Sequence, residues 1–144
     1  MEMKTSIFDG ILNLEDALRE DPFGEVISFP GHKGTADDPI PMGYISYSNA
    51  VSQLVEKIYA FVEANPDYDL RQYHTILEEY GYEDVSPLEI DVSKVDSKCL
   101  MAMFVWLVRG ERFSDGLILD ALEAGVVQRW MARLREIRDE GELL

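Results

Sequence analysis

The chain has 144 residues, 47% hydrophobic and 28% charged, a balance that excludes intrinsic disorder and fits one helical domain over residues 1–144. A chain of this length buries roughly two thirds of the surface it exposes when unfolded, so its core requires neither a metal nor a disulfide staple. Against 28 acidic residues stand 13 basic ones, and the net charge of −15 repels nucleic acid and anionic membranes at long range while attracting basic surfaces.

Residues Ser6 to Glu20 place Ile7, Phe8, Ile11, Leu12 and Leu18 largely on one helical face, and Asp21-Pro22 ends the segment. Asp9, Asn13, Glu15 and Asp16 interrupt it too often for a secretory leader. Gly24 to Phe29 is rich in β-branched and aromatic residues and stops at Pro30-Gly31, the pattern of a short strand. Pro30 to Gly43 holds three prolines and three glycines and is expected to be a loop. Tyr44 to Tyr47 is a candidate for a second short strand pairing with the first.

Ser48 then caps a helix with Val51, Leu54, Val55, Ile58, Phe61 and Val62 on one stripe, stopped by Asn65-Pro66. Asp69 opens a helix that turns Tyr73, Ile76, Leu77 and Tyr80 inward and ends at Gly81, a residue suited to the left-handed conformation there. An acidic loop, Tyr82 to Val92, follows. From Val95 to Val108 the apolar residues cover every side, so this helix is expected to lie at the centre, surrounded by others. Ser114 or Asp115 restarts a short helix through Leu122, ended by Gly125. The last helix sets Val126, Val127, Trp130, Met131, Leu134 and Ile137 on one arc, with pairs such as Arg135 and Asp139 at salt-bridging spacing. The sum is a mainly α fold: a compact bundle of about six helices with a minor two-stranded β element near the N-terminus.

Chemistry is sparse along this chain. His32, His74 and Cys99 each stand alone, which is not a zinc pattern, and neither Asp37-Asp38 nor Asp67-Tyr68-Asp69 has the ladder of a calcium loop. Cys99 opens an apolar helix and is expected to be a buried small hydrophobe. The order of Gly31-His32-Lys33-Gly34-Thr35 puts lysine ahead of the glycine, the reverse of a phosphate loop. Acidic neighbours such as Glu78-Glu79 diverge on a helix and do not make acid–base dyads. No metal, cofactor or catalytic set is therefore expected.

One stretch is specified beyond packing: Arg109-Gly110-Glu111-Arg112-Phe113-Ser114-Asp115-Gly116. In one reading Arg109 and Arg112 bridge acidic side chains and helix-end carbonyls, locking a turn between two helices. In the other, Arg109, Glu111 and Arg112 form a small polar pocket for a carboxylate or phosphate, joined by Tyr44 or His32 from the proline-rich loop.

The pattern Arg109-x-Glu111-Arg112-Phe113-x-x-Gly116, with Gly125 and a helix reaching Arg133-Leu134, resembles an uncharacterised family of small bacterial and mobile-element proteins. Asp38-Pro39-Ile40-Pro41-Met42-Gly43-Tyr44-Ile45-Ser46-Tyr47 is similar to that family's proline-and-tyrosine loop, so the resemblance spans roughly residues 35 to 135. It implies a bacterial or phage origin and carries over no catalytic residue.

Two functions are open on the sequence. The first is an interaction or regulatory module that binds a basic protein surface through its acidic one, with nucleic-acid mimicry as its sharper form and no direct nucleic-acid or membrane binding. The second is a small-ligand binder or enzyme built on the arginines at 109 and 112. Self-association through the Trp130 arc is a third way to use the surface. The expected compartment is the cytoplasm, since a lone cysteine forms no intramolecular disulfide and the longest apolar run, Leu100 to Val108, falls far short of the roughly 20 residues of a membrane span.

Overall fold

A computed structural model of the chain describes residues 6–19, 23–28, 31–39 and 43–140. Its organising element is helix α4, Ser97–Gly110, in which every residue from Cys99 to Val105 is buried, as are Leu107 and Val108. Each fully buried leucine, methionine or phenylalanine side chain is worth roughly 1.5–3 kcal/mol relative to exposure, so such a helix must be enclosed on all sides. Four helices enclose it: α2 (Asn49–Ala64), α3 (Tyr73–Glu79), α5 (Leu117–Glu123) and α6 (Val126–Asp139). The short helix α1 (Asp9–Leu12) packs on α2 and α6.

The caps explain the boundaries. Ser48 accepts from the Val51 amide at the start of α2, and Asp96 accepts from the Cys99 amide at the start of α4. The same Asp96 carboxylate receives the Tyr80 hydroxyl at 2.7 Å, tying the end of α3 to the start of α4. Gly81 has φ +86°, and the Gly81 and Tyr82 amides donate to the Glu78 and Leu77 carbonyls, the bond pair of a Schellman turn. That turn brings Tyr82 back against the core.

Strands β1 (Gly24–Ile27) and β2 (Tyr44–Tyr47) pair antiparallel, Gly24 opposite Tyr47 and Ile27 opposite Tyr44. This hairpin and the six helices bear out the expected class. The Asp21-Pro22 stop, the Phe29-Pro30 end of the first strand and residues 40–42 of the loop lie outside the described residues.

Several expectations change. Over the described residues 6–19 the expected continuous helix is instead α1 followed by turns and a single 3₁₀ turn, Ala17–Arg19, with the Leu14, Glu15 and Arg19 amides bonding three residues back and not four. Asp69 has φ 53° and opens a 3₁₀ turn over Leu70–Gln72 without a side-chain cap, so α3 starts only at Tyr73. Arg135 turns away from Asp139 and meets Glu15 at 2.6 Å, joining α6 to the N-terminal segment. The Trp130 arc is buried in the chain's own core, Trp130 against Phe104 edge to face. Among the described residues no helix is long and apolar enough to cross a membrane.

Burial and the nearby Asp96 carboxylate push the Cys99 thiol up to about 12. Alkylation of the native protein should therefore stay slow from pH 7 to 10, where an ordinary thiol accelerates as it ionises near about 8.5; timed labelling with and without urea checks this. Gly81→Ala forces a Cβ into the left-handed region and should cost about 1 kcal/mol, measured by urea denaturation.

Candidate functional site

Arg109 and Arg112 are three residues apart and so share one side of the α4 terminus, while Glu111, roughly 200° and 100° around the helix from them, points elsewhere. The side chains follow that geometry. Glu111 turns inward and its carboxylate accepts three hydrogen bonds: from the Gly116 amide at 2.9 Å, the Ile118 amide at 2.8 Å and the Tyr47 hydroxyl at 2.9 Å. It is thus the N-terminal cap of α5, supplied by the preceding helix. The expected caps, Ser114 and Asp115, give α5 no side-chain bond.

Tyr47 completes the lock. Its hydroxyl also accepts from the Leu119 amide at 3.3 Å, so one phenol fastens β2 to both ends of the turn. Burial, then the Glu111 carboxylate, raises the Tyr47 phenol well above its ordinary value, which keeps it the donor. Gly116 fits this turn for two reasons: its φ is +94°, and a Cβ there would stand 3.2 Å from Ile45 Cδ1 on the same strand. Glu111 therefore serves the fold, and the pattern Glu111-x-x-x-x-Gly116 is its signature.

The arginines behave differently. Both are exposed. The Arg109 guanidinium lies 5.7 Å from the centre of the Tyr73 ring and that of Arg112 lies 6.0 Å from the centre of the Tyr59 ring, within cation–π range. Among the described residues neither has a carboxylate within 4.0 Å, nor does Arg129, whereas Arg19, Arg71, Arg133, Arg135 and Arg138 each do. The bridging expected of Arg109 and Arg112 is absent among the described residues: of the two carboxylates of their own turn, Glu111 is held by backbone amides and Tyr47, and Asp115 is in no ion pair with either arginine.

Arg109 lines a surface cavity of about 430 Å³ with Tyr59, Val62, Glu63, Leu70, Arg71 and Val105. Arg71 pairs with Glu63 at 3.0 Å across its rim. The apolar floor comes from α2, α4 and Leu70, the cations from the 3₁₀ turn at 70–72 and the end of α4. Of the residues singled out by sequence, Arg109 lines this cavity and Arg112 stands over Tyr59 at its edge. Tyr44 and His32 are not among its lining: Tyr44 is exposed on the hairpin, and His32 Nδ1 is engaged by Asp38 at 2.8 Å in the loop. Arg71, Tyr59 and Tyr73 are the partners sequence reasoning missed, since 36 to 53 residues separate them from the arginines they join and no local pattern links them. Among the described residues no three His, Cys, Asp or Glu side chains gather as a metal site.

The chain is thus a mainly α bundle with a polar turn locked between hairpin and helices, and one family description covers nearly all of its length. Residues 3–140 match the Family of unknown function (DUF6508), and the chain belongs to that family. No curated protein and no solved structure is significantly similar to it.

Glu111→Ala removes an acceptor from two amides and a phenol at once and should cost about 2–3 kcal/mol, and Tyr47→Phe about 1 kcal/mol. Because both act in one network, the double variant should lose less than the sum, which a denaturation cycle of the four proteins measures. The Tyr47 contribution should be full below about pH 10, the ordinary phenol value, and fade as the pH rises beyond it.

Proposed function

We propose that the protein is a binding module for a small anion, a carboxylate or phosphate ester, received at the cavity bounded by Arg71 and Arg109. The observation that carries this reading is that Arg109 and Arg112 have no carboxylate partner among the described residues, on a chain of net charge −15. Other cations, Arg129 among them, also lack a carboxylate within 4.0 Å among the described residues; what distinguishes these two is that each is held over a tyrosine ring beside a cavity.

The surroundings supply the rest of a binding site. A cavity of about 430 Å³ falls within the usual size of small-molecule sites, which pair an apolar floor with a few placed polar groups. Here Val62, Leu70, Val105 and Tyr59 supply the floor, and the guanidinium groups supply planar donors that match carboxylate and phosphate oxygens. Glu63, already on Arg71, narrows entry to ligands that displace it or carry a donor to meet it. The resemblance at Arg109-x-Glu111-Arg112-Phe113-x-x-Gly116 supports a bacterial or mobile-element origin, and a lone buried Cys99 supports work in a reducing cytoplasm.

Thermal-shift and calorimetric titrations with inorganic phosphate, pyrophosphate and citrate test the reading. At least one of them should stabilise the protein at millimolar concentration, less so as salt rises. Arg109→Ala should weaken that ligand about tenfold, the loss of one charge-assisted contact, while leaving the free protein within about 1 kcal/mol of wild type, the worth of its exposed cation–π contact. Arg112→Lys keeps charge but not the planar stack and should fall between. Absence of any stabilising anion, or an unchanged affinity in Arg109→Ala, rejects the proposal.

A further inference from the structure

The strongest concentration of unbalanced charge lies on another side of α4. From residue 72 to 93 the chain carries Glu78, Glu79, Glu83, Asp84, Glu89 and Asp91 and no lysine or arginine. All six carboxylates are exposed, and among the described residues none is in an ion pair. Charge of this kind only solvates a surface unless the surface beneath has shape and apolar character.

Here it has both. A groove of about 250 Å³ runs between the end of α3 and the loop after it, lined by Leu77, Tyr82, Val85, Pro87 and Trp106 and rimmed by His74, Glu78 and Glu83. The Gly81 turn makes this groove by returning Tyr82 toward α4. Trp106 is the single position between Cys99 and Val108 that is not fully buried, and it sits here. Val85 is also exposed. Two aromatic side chains and aliphatic neighbours inside a carboxylate rim combine an anchor pocket with a charge filter. The groove shares no lining residue with the arginine cavity.

We propose that this groove docks a short basic segment of a partner protein, one apolar side chain seated on Tyr82, Val85 and Trp106 with flanking arginines or lysines meeting Glu78 and Glu83. Charge complementarity selects that occupant. A nucleic acid is repelled by the same six carboxylates. A second copy of this chain could offer Arg112-Phe113, whose phenylalanine is 91% exposed, but each copy brings a net charge of −15, whereas a basic partner gains from the whole field.

The test uses the full chain and three labelled twelve-residue peptides: alternating Arg and Leu, alternating Arg and Gly, and alternating Glu and Leu. Fluorescence anisotropy reads affinity, and NMR of the Trp106 indole and of residues 77–87 reads location, at about 0.15 M salt where surface attraction is screened beyond roughly 8 Å. The Arg–Leu peptide should bind saturably and shift those signals. The Arg–Gly peptide should bind at least about tenfold more weakly, each tenfold being about 1.4 kcal/mol, and the Glu–Leu peptide should not bind. Glu78→Gln with Glu83→Gln should weaken the Arg–Leu peptide about tenfold with an unchanged circular-dichroism spectrum, and Glu56→Gln on α2 should have no effect. Equal binding by the Arg–Leu and Arg–Gly peptides, shifts spread over the whole acidic surface, or no saturable binding overturns the proposal. So does self-association in sedimentation that Phe113→Ala abolishes, which would give the groove to a second copy.

Discussion

Helix α4 has no face for water, and that constraint shapes the rest of the molecule. With Cys99 to Val105 buried all round, α2, α3, α5 and α6 must close around it. Polar chemistry on α4 is confined to its ends and to the shallow side at Trp106. At the N-terminal end Asp96 satisfies the Cys99 amide and the Tyr80 hydroxyl together. At the C-terminal end the helix leaves the core through Arg109, Glu111 and Arg112, and the 200° step between Arg109 and Glu111, roughly, decides which of them stays inside. Both surface features described above lie where this helix meets solvent.

The distribution of arginines follows from the same economy of space. On α6, Arg135 and Arg138 reach back to Glu15 and Asp9 at 2.6 and 3.2 Å, and Arg133 donates to the Val95 carbonyl at 3.0 Å. These bonds fasten the N-terminal segment and the approach to α4 onto the last helix. Partly exposed pairs of this kind contribute about 0–1 kcal/mol each, so their effect is more on orientation than on stability. Arg109 and Arg112 have no such structural duty, and their rings of contact, Tyr73 and Tyr59, are worth about 0.5–1 kcal/mol at an exposed site. That is enough to hold a guanidinium in place and too little to forbid its engaging a ligand.

How much of this was legible in the sequence depends on the range of the interaction. The stripe on α2, the all-apolar α4 and the α6 arc were legible because period and burial report the same fact over three or four turns. Gly81 was legible because a left-handed residue after Tyr80 has few alternatives. The segment at 6–20 was not, because its five apolar positions fit a helix, yet Ile7 is exposed while Leu14 is buried, and Glu15 reaches across to Arg135. The α5 cap was missed for a related reason: Ser114 and Asp115 stand at the expected place, yet Glu111, already committed to Tyr47, satisfies the same amides from the side. Arg135 pairing with Glu15 rather than Asp139 spans 120 residues, and no local rule favours it. In the candidate site the arginines were legible as exceptional, but Tyr59, Arg71 and Tyr73 come from elements that only the folded bundle brings to them.

The Arg-x-Glu-Arg pattern acquires a physical logic from this placement. A glutamate gripped by two amides and a phenol is a fixed point, and the residues on either side of it inherit its rigidity. Arg109 is held at the last turn of a buried helix and Arg112 in a turn closed by Gly116, so both present their charge from backbone that cannot easily shift. Preorganisation of that kind lowers the ordering cost of binding, which for a long flexible cation is about 0.5–1.5 kcal/mol per side chain. Side-chain closure of the turn comes from Glu111, with Gly116 supplying the left-handed backbone; Arg109, Arg112 and Phe113 contribute backbone bonds, but their side chains make no hydrogen bond in it. Displayed beside a cavity and held over tyrosine rings, these arginines are the features on which the proposed anion site rests.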